Sequence, residues 1–206
     1  DLQTAINKAS QNGASVWVAQ GTYIPTTDSL GKKPSSNRDA CFTLKNNVTV
    51  YGGFKGSESR FTLRDPAKYQ VILSGEIGDT TILTDNLHHI VYSRVNTSNT
   101  AGLDGVLIIN GQSNKYNGAG AFLGGGTIRN CTFSNNAAIN GGALFARQTF
   151  ISNCEFKFNT AKQNGGALYC ISTQMDSCIV RNNNAKIGGG VFLKSVNANY
   201  IKVYNN

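Results

Sequence analysis

Three evenly spaced cysteines are the side chains most able to do chemistry in this chain. Cys131, Cys154 and Cys178 are separated by 23 and 24 residues. Such spacing indicates one thiol in each unit of a repeat, and therefore a linear stack of thiols. Zinc needs four ligands in a tetrahedral arrangement, which a linear stack of thiols does not supply. The distance between stacked Cβ atoms, about 4.8 Å, is also longer than the ~3.8 Å Cβ–Cβ distance of a disulfide. We predict a buried ladder of free thiols, without a metal or cofactor.

Carboxylates are the second candidates for chemistry. Glu76, Asp79 and Asp85 are close enough in sequence to form a cluster for metal binding or acid–base work. They lie in strings rich in Gly, Thr and Asn, where carboxylates commonly accept hydrogen bonds from turn N–H groups. We predict turn chemistry for these three side chains. The repeats of the second half carry only Glu155 and Asp176, at non-equivalent positions, so we predict no calcium-binding repeat.

A polysaccharide lyase would need a basic side chain beside acidic residues that neutralise a uronate. Arg94 with Asp104, or Arg64 with Asp65, could supply such a pair, but no spacing singles them out. The sequence therefore names no catalytic residue.

The two histidines, His88 and His89, are adjacent in the sequence. On a strand, neighbouring side chains point to opposite faces, so the two imidazoles would not act together. We predict a packed or exposed role for them.

The second half positions these residues through a four-fold repeat. Variants of the phrase Asn-Gly-Gly-Ala-Leu-Phe begin at Asn117, Asn140, Asn164 and Ile187, which are 23, 24 and 23 residues apart. Self-similarity at this period indicates a solenoid whose units bury their apolar faces against one another. Short apolar runs separated by Gly and Asn predict an all-β solenoid with about 22 to 24 residues and three short strands in each coil.

Stacked coils place equivalent residues about 4.8 Å apart, so each repeat position becomes a ladder. Stacked amides can each donate to one neighbour and accept from the other. The predicted structural ladders are an aromatic one (Phe122, Phe145, Tyr169, Phe192), an aliphatic one (Ile128, Ile151, Met175, Ala198), one of Phe and Val (Phe133, Phe156, Val180, Val203), the thiols, and an amide one (Asn136, Asn159, Asn183, Asn206).

The first half has the same architecture with larger loops. Apolar residues at 2, 5, 6 and 9 predict a short capping helix within residues 1–15, with a stop at Asn12-Gly13. Residues 16–116 form coils with loop insertions, including a polar loop at 25–39, and residues 117–206 form the regular repeats. We expect one solenoid over 1–206 that continues in a longer protein, because no changed, polar terminal unit follows the fourth repeat.

Two groups of motifs resemble known families. Gly-Gly-Ala-Leu followed by Phe-x-x-Asn, as at 133–136 and 156–159, resembles the repeat of chlamydial polymorphic outer-membrane proteins. The strings at 2–6, 17–23, 50–54 and 73–77 resemble secreted Bacteroidetes proteins with pectin-lyase-like β-helices. These resemblances imply a right-handed parallel β-helix and a secreted or outer-membrane-associated, cell-surface location. They do not imply one activity, and Val180, Val203 and Gly190 depart from the repeat pattern.

The net charge of +8 belongs mostly to the repeats. Residues 111–206 carry a net charge of +7, against +1 for residues 1–110. One interpretation is a face for anionic ligands, and the other is a solvated exterior whose charges keep the solenoid soluble. The cations that could form such a face are Arg129, Arg147, Lys157, Lys162, Arg181 and Lys186.

The sequence favours a non-catalytic protein that serves as a stalk, an adhesin or a glycan-facing platform. Its expected partner is an acidic polysaccharide or a cell-surface glycan. We expect no nucleic acid, since the cations are not interleaved with aromatic residues in any one segment, and no membrane-spanning segment, since no apolar run reaches ~18 residues. The alternative is a polysaccharide lyase or a glycoside hydrolase on the same fold.

Overall fold

The computed structural model describes residues 1–94 and 100–206 of the chain. The chain is a parallel β-solenoid with one N-terminal helix and about 24 residues in each regular turn. This confirms the fold class expected from the repeat period.

Helix α1 (Leu2–Asn12) covers the first rung of the solenoid. The Asp1 carboxylate caps its N-terminus by accepting a hydrogen bond from the Thr4 N–H, and Gly13 ends it with a φ of 63°. Its apolar stripe, which includes Ile6, is buried in the hydrophobic core. The Gln3 side chain fixes the helix to the first coils, because its amide bonds both the N–H and the C=O of Thr43.

Short strands follow the helix. In chain order they are β1 (Val16–Ala19), β2 (Gly21–Tyr23), β3 (Phe42–Thr43), β4 (Thr49–Phe54), β5 (Val71–Ser74), β6 (Val91–Tyr92), β7 (Gly102–Asp104), β8 (Leu107–Ile109), β9 (Ala121–Leu123), β10 (Gly126–Arg129), β11 (Thr132–Ser134), β12 (Ala137–Asn140), β13 (Leu144–Arg147), β14 (Thr149–Ser152), β15 (Glu155–Lys157), β16 (Thr160–Asn164), β17 (Leu168–Ile171), β18 (Gln174–Asp176), β19 (Ile179–Arg181), β20 (Asn184–Ile187), β21 (Val191–Lys194), β22 (Asn197–Asn199) and β23 (Lys202–Tyr204). Short 3₁₀ helices lie in the insertions at Asn37–Asp39, Phe61–Leu63 and Leu83–Asp85.

The strands of the described residues form four parallel sheets along the solenoid. Sheet A has the order β1-β4-β7-β10-β14-β18-β22, sheet B β2-β5-β8-β11-β15-β19-β23, sheet C β3-β6-β9-β13-β17-β21, and sheet D β12-β16-β20. The prediction of three strands per coil is wrong for the first three regular repeats, because sheet D adds a fourth strand to each of those. The extra strand falls between the amide ladder and the Gly-Gly phrase, a stretch that lacks the apolar run expected of a strand.

Corners between the sheets are single residues with positive φ. Their φ values lie between 50° and 66°. Asparagine and glycine tolerate this left-handed conformation best, which explains why both residue types recur in the repeat. The corner residues are Gln148, Ser172 and Ser195 between sheets C and A; Asn130, Asn153, Ser177 and Tyr200 between A and B; Asn135, Phe158 and Asn182 between B and D, with Asn205 at the equivalent position after β23; and Gly141, Gly165 and Gly188 between D and C, with Gly118 at the equivalent position before β9.

Sheets A, B and C all contribute buried side chains to the interior. Ile128, Ile151 and Met175 are paired in register and buried, and the Phe133 and Phe156 rings stack at 5.0 Å inside the coil. The thiols of Cys131, Cys154 and Cys178 lie between these ladders and are all buried. Alternation along each strand sends the next side chain outward, so the opposite face of every sheet meets solvent.

Candidate functional site

The aromatic ladder lies on the outside of sheet C. Its rings are those of Tyr92, Phe122, Phe145, Tyr169 and Phe192, so Tyr92 extends the ladder by one ring beyond the repeats. Successive ring centroids are 5.7, 5.0, 5.2 and 4.8 Å apart, with interplanar angles of 6° to 17°. Each inner ring is covered on both faces by its neighbours and presents only its edge to solvent. A ring face is therefore available to a ligand only where the ladder ends.

A cavity of about 490 Å³ lies at the Tyr92 end of the ladder. The loop formed by residues 25–41, which we call the cover loop, closes one side of it, and the segments around residues 88–92 and 116–122 close the other. The lining residues are Asp28, Ser29, Leu30, Ser35, Asp39, Cys41, His88, His89, Tyr92, Tyr116 and Phe122.

Aromatic rings form the solenoid wall of the cavity. The His89 ring contacts the rings of Tyr116, Phe122 and Tyr92, with centroid distances of 5.4, 5.9 and 6.2 Å. The His88 ring meets Tyr116 edge to face at 5.3 Å. The prediction that the two histidines point to opposite faces is wrong, because strand β6 begins only at Val91 and strand alternation does not apply before it.

Both imidazoles are neutral at pH 7. Burial lowers the pKa of His89, and burial together with the nearby Arg38 guanidinium lowers the pKa of His88. His89 Nδ1 lies 2.9 Å from the carbonyl oxygen of Gly118. Since a carbonyl can only accept, Nδ1 carries the proton and donates, which leaves Nε2 as an acceptor.

Hydrogen bonds hold the cover loop in place. The Arg38 guanidinium donates to the carbonyl oxygens of Asn86 and Gln112 at 2.7 and 2.8 Å, which ties the loop to two later coils. Asp28 Oδ1 accepts from the N–H groups of Leu30 and Lys32, both at 2.9 Å. The loop therefore presents its carboxylates from a fixed backbone.

Cys41 lies on the cover-loop side of the cavity. Burial raises the pKa of its thiol to about 11, so the thiol is protonated at neutral pH and is not a nucleophile there. In the part of the chain that the structure describes, no three side chains of His, Cys, Asp or Glu are placed to hold a metal ion.

A few buried polar side-chain atoms have no protein partner. Within the described residues these atoms are Thr27 Oγ1, Asp85 Oδ1, Asn86 Oδ1 and Nδ2, and His88 Nδ1. Asn86 is completely buried. Native proteins pair nearly all buried polar groups, and of these residues His88 alone belongs to the cavity lining.

Comparisons with known proteins do not name a family. No family model, no curated protein and no solved structure matches this chain. What is established is the parallel β-solenoid itself. The chlamydial and Bacteroidetes resemblances of the sequence stay predictions.

The structure does not bring the six candidate cations together. Arg129 lies on sheet A, Arg147 on sheet C, Lys157 and Arg181 on sheet B, and Lys162 and Lys186 on sheet D. On sheet B, the Glu155 carboxylate binds Lys157 at 2.9 Å and Arg181 at 2.6 Å. The anion-binding face expected from these six cations stays a prediction.

Neither basic–acidic pair considered for lyase chemistry forms. Arg64 binds Asp104 at 2.5 Å, and their side chains are only 11% and 13% exposed. Asp65 instead accepts backbone N–H bonds within its own turn, and Arg94 lines, with Lys45, an adjoining cavity that shares Ser29 and Leu30 with the first. The Arg64–Asp104 pair fastens the insertion at 55–70 to sheet A and leaves neither group free for a substrate.

The early carboxylates act in turns, as predicted. Glu76 accepts from the Gly78 N–H, Asp79 from the Thr81 N–H and hydroxyl, and Asp85 from the Asp79 N–H. All five cysteines are free and buried. Burial raises the pKa of Cys154 and Cys170, as expected for thiols packed as small apolar groups. Among the described residues, no helix is long and apolar enough to cross a membrane.

Sequence reasoning missed most of the cavity. Asp28, Asp39, Cys41, Tyr92 and Tyr116 lie outside the regular repeat, so no periodic signal marks them. The one available signal was the polar loop at 25–39, which was expected as a loop but not as a cover.

Proposed function

We propose that this chain is a non-catalytic, secreted or cell-surface solenoid that binds a glycan through the cavity under the cover loop. The observation that carries this proposal is the two-sided lining of the cavity. Aromatic rings form one wall, and carboxylates and hydroxyls form the other. A sugar ring has apolar C–H faces and a polar edge of hydroxyl groups, so it would stack on the first wall and hydrogen-bond to the second.

The size of the cavity supports one or two sugar units rather than a long chain. Pockets for small ligands usually measure about 300 to 1,000 Å³, and this cavity lies in the lower half of that range. A longer glycan would extend from the cavity across the solenoid exterior. The sequence resemblances to exported proteins support a stalk or adhesin in which the solenoid displays this site.

One observation favours the enzymatic alternative, a lyase or a glycoside hydrolase. His89 Nε2 is an unprotonated acceptor in a cavity that also contains Asp28 and Asp39, and such groups can move protons. Two observations count against catalysis. Asp28 already accepts hydrogen bonds from two N–H groups of the loop, and Arg64 and Asp104 bind each other. We therefore place binding ahead of catalysis.

A glycan array on the whole chain tests the proposal. The wild-type protein should bind a defined subset of glycans, and Tyr116→Ala should weaken that binding at least tenfold, because Tyr116 supplies a ring of the cavity wall. Tyr200→Ala is the matched control, since this tyrosine is 85% exposed on a distant corner. Thermal unfolding should show that each variant is folded. Loss of binding in both variants, or no binding by the wild type, would contradict the proposal, and release of oligosaccharides would favour the enzyme.

A further inference from the structure

We infer that the glycan unit held in the cavity is an amino sugar, bound through its free ammonium group. The inference rests on the proposed function and assigns the chemical class of the ligand. It depends on the charges, the hydrogen-bond valences and the rings that face the cavity.

Charged groups that line the cavity are acidic. Asp28 and Asp39 belong to the lining, and neither Lys nor Arg does, within the described residues. The guanidinium of Arg38, in the cover loop, donates to two backbone carbonyls. Lys115 Nζ lies 4.9 Å from the centre of the Tyr116 ring without lining the cavity. Lys115 interacts electrostatically with Asp39 from outside the cavity, and among the described residues no cation belongs to the cavity lining itself.

The two carboxylates have acceptor capacity to spare. An ionised carboxylate offers about four lone-pair sites. Asp28 accepts two backbone N–H bonds, both on Oδ1, and Asp39 Oδ2 has one long contact of 3.5 Å with the Ser35 hydroxyl. In the described part of the chain, Asp28 Oδ2 and Asp39 Oδ1 receive no hydrogen bond. An ammonium group has three hydrogen-bond donors and a positive charge. It would donate to these carboxylate oxygens and offset their negative charge.

The aromatic wall suits a cation for a second reason. Tyrosine ring faces attract an ammonium group through the ring quadrupole, and Lys115 already makes such a contact with Tyr116. His88 and His89 are neutral, so they do not repel a cation. A pyranose that carries an ammonium group could place its C–H face on the rings and its charge near Asp39. A uronate would instead add a third negative charge to the cavity.

Isothermal titration of the whole chain with defined oligosaccharides tests this inference at pH 7. The probes are oligomers of glucosamine, of N-acetylglucosamine, of glucose and of galacturonate, with equal chain length. Glucosamine oligomers should bind at least tenfold more tightly than the other three. Asp39→Asn, which keeps the shape of the side chain and removes its charge, should reduce glucosamine binding about tenfold and leave N-acetylglucosamine binding unchanged.

Asp176→Asn on β18 is the matched control and should change neither affinity. Equal or tighter binding of the acetylated, neutral or acidic oligomers would overturn the inference while the proposed function stands. Binding of none of the four oligomers would overturn the inference, while the glycan array alone decides the proposed function. A lysine peptide that binds as tightly as the glucosamine oligomer would show a site for alkylammonium groups rather than for an amino sugar, and would also overturn it.

Discussion

At the scale of single residues, Phe158 is the clearest conflict between sequence and backbone. It occupies a left-handed corner with a φ of 57°, whereas Asn135, Asn182 and Asn205 hold the same corner in neighbouring coils. Its ring is 50% exposed and lies beside the Arg181 guanidinium, 5.8 Å from the ring centre. A left-handed backbone costs a bulky residue about 1 kcal/mol or more, and asparagine bears that strain best.

Phe158→Asn should therefore raise the free energy of unfolding by about 1 kcal/mol. The reciprocal change Asn135→Phe, at an equivalent exposed corner, should lower it by a similar amount. Urea unfolding followed by circular dichroism measures both values. If Phe158→Asn destabilises the protein, the contact between the ring and Arg181 outweighs the backbone strain.

Residue-level prediction from the sequence succeeded for the thiols and the turn carboxylates and failed for the two histidines. The free, buried thiols and the turn carboxylates follow from spacing and local composition. His88 and His89 were placed wrongly, because the alternation rule was applied to residues that precede a strand. No local signal distinguishes such a segment from the strand that follows it.

At the scale of elements, the amide ladder binds successive coils to one another. Asn159 Oδ1 accepts from both the backbone N–H and the side-chain amide of Asn136, at 3.0 and 3.1 Å. Its own Nδ2 donates to Asn183 Oδ1 at 3.0 Å and to two backbone carbonyls. Asn159 is completely buried, so these bonds have no water to replace them. The ladder satisfies backbone groups at the corner where each coil leaves sheet B.

Replacing Asn159 with alanine should lower the free energy of unfolding by about 3 kcal/mol, because several buried partners would lose their bonds at once. Asn184→Ala is the matched control. Asn184 is exposed on sheet D, and its loss should change the free energy by less than ~0.5 kcal/mol. Chemical denaturation of both variants under the same conditions gives the comparison. If both variants lost the same free energy of unfolding, the buried amide ladder would stabilise the protein no more than an exposed asparagine does.

At the scale of the whole molecule, each regular coil contacts chiefly the coils before and after it. Such proteins should tolerate the loss of a whole coil, since nearest-neighbour contacts are restored across the new junction. Asn136 and Asn159 occupy equivalent ladder positions, 23 residues apart. Joining Asn136 directly to Thr160 would therefore remove one coil and keep the register of all four sheets.

A variant that lacks residues 137–159 should fold, with a smaller dependence of unfolding free energy on urea because less surface is exposed on unfolding. A variant that lacks residues 137–156 should not fold, because the ladder positions no longer coincide. Circular dichroism and urea titration distinguish the two outcomes. The expectation fails if both deletions unfold the chain to the same extent.

The sequence by itself determined the period, the parallel solenoid, the capping helix and the sets of residues that stack. A repeat of constant length forces equivalent residues into register, so these features need no long-range information. Only the tertiary structure decided that the aromatic ladder faces outward, that three of the regular coils have a fourth strand, and that the cover loop meets His88, His89 and Tyr116. Those contacts join non-equivalent segments far apart in the chain, and no period constrains how such segments meet.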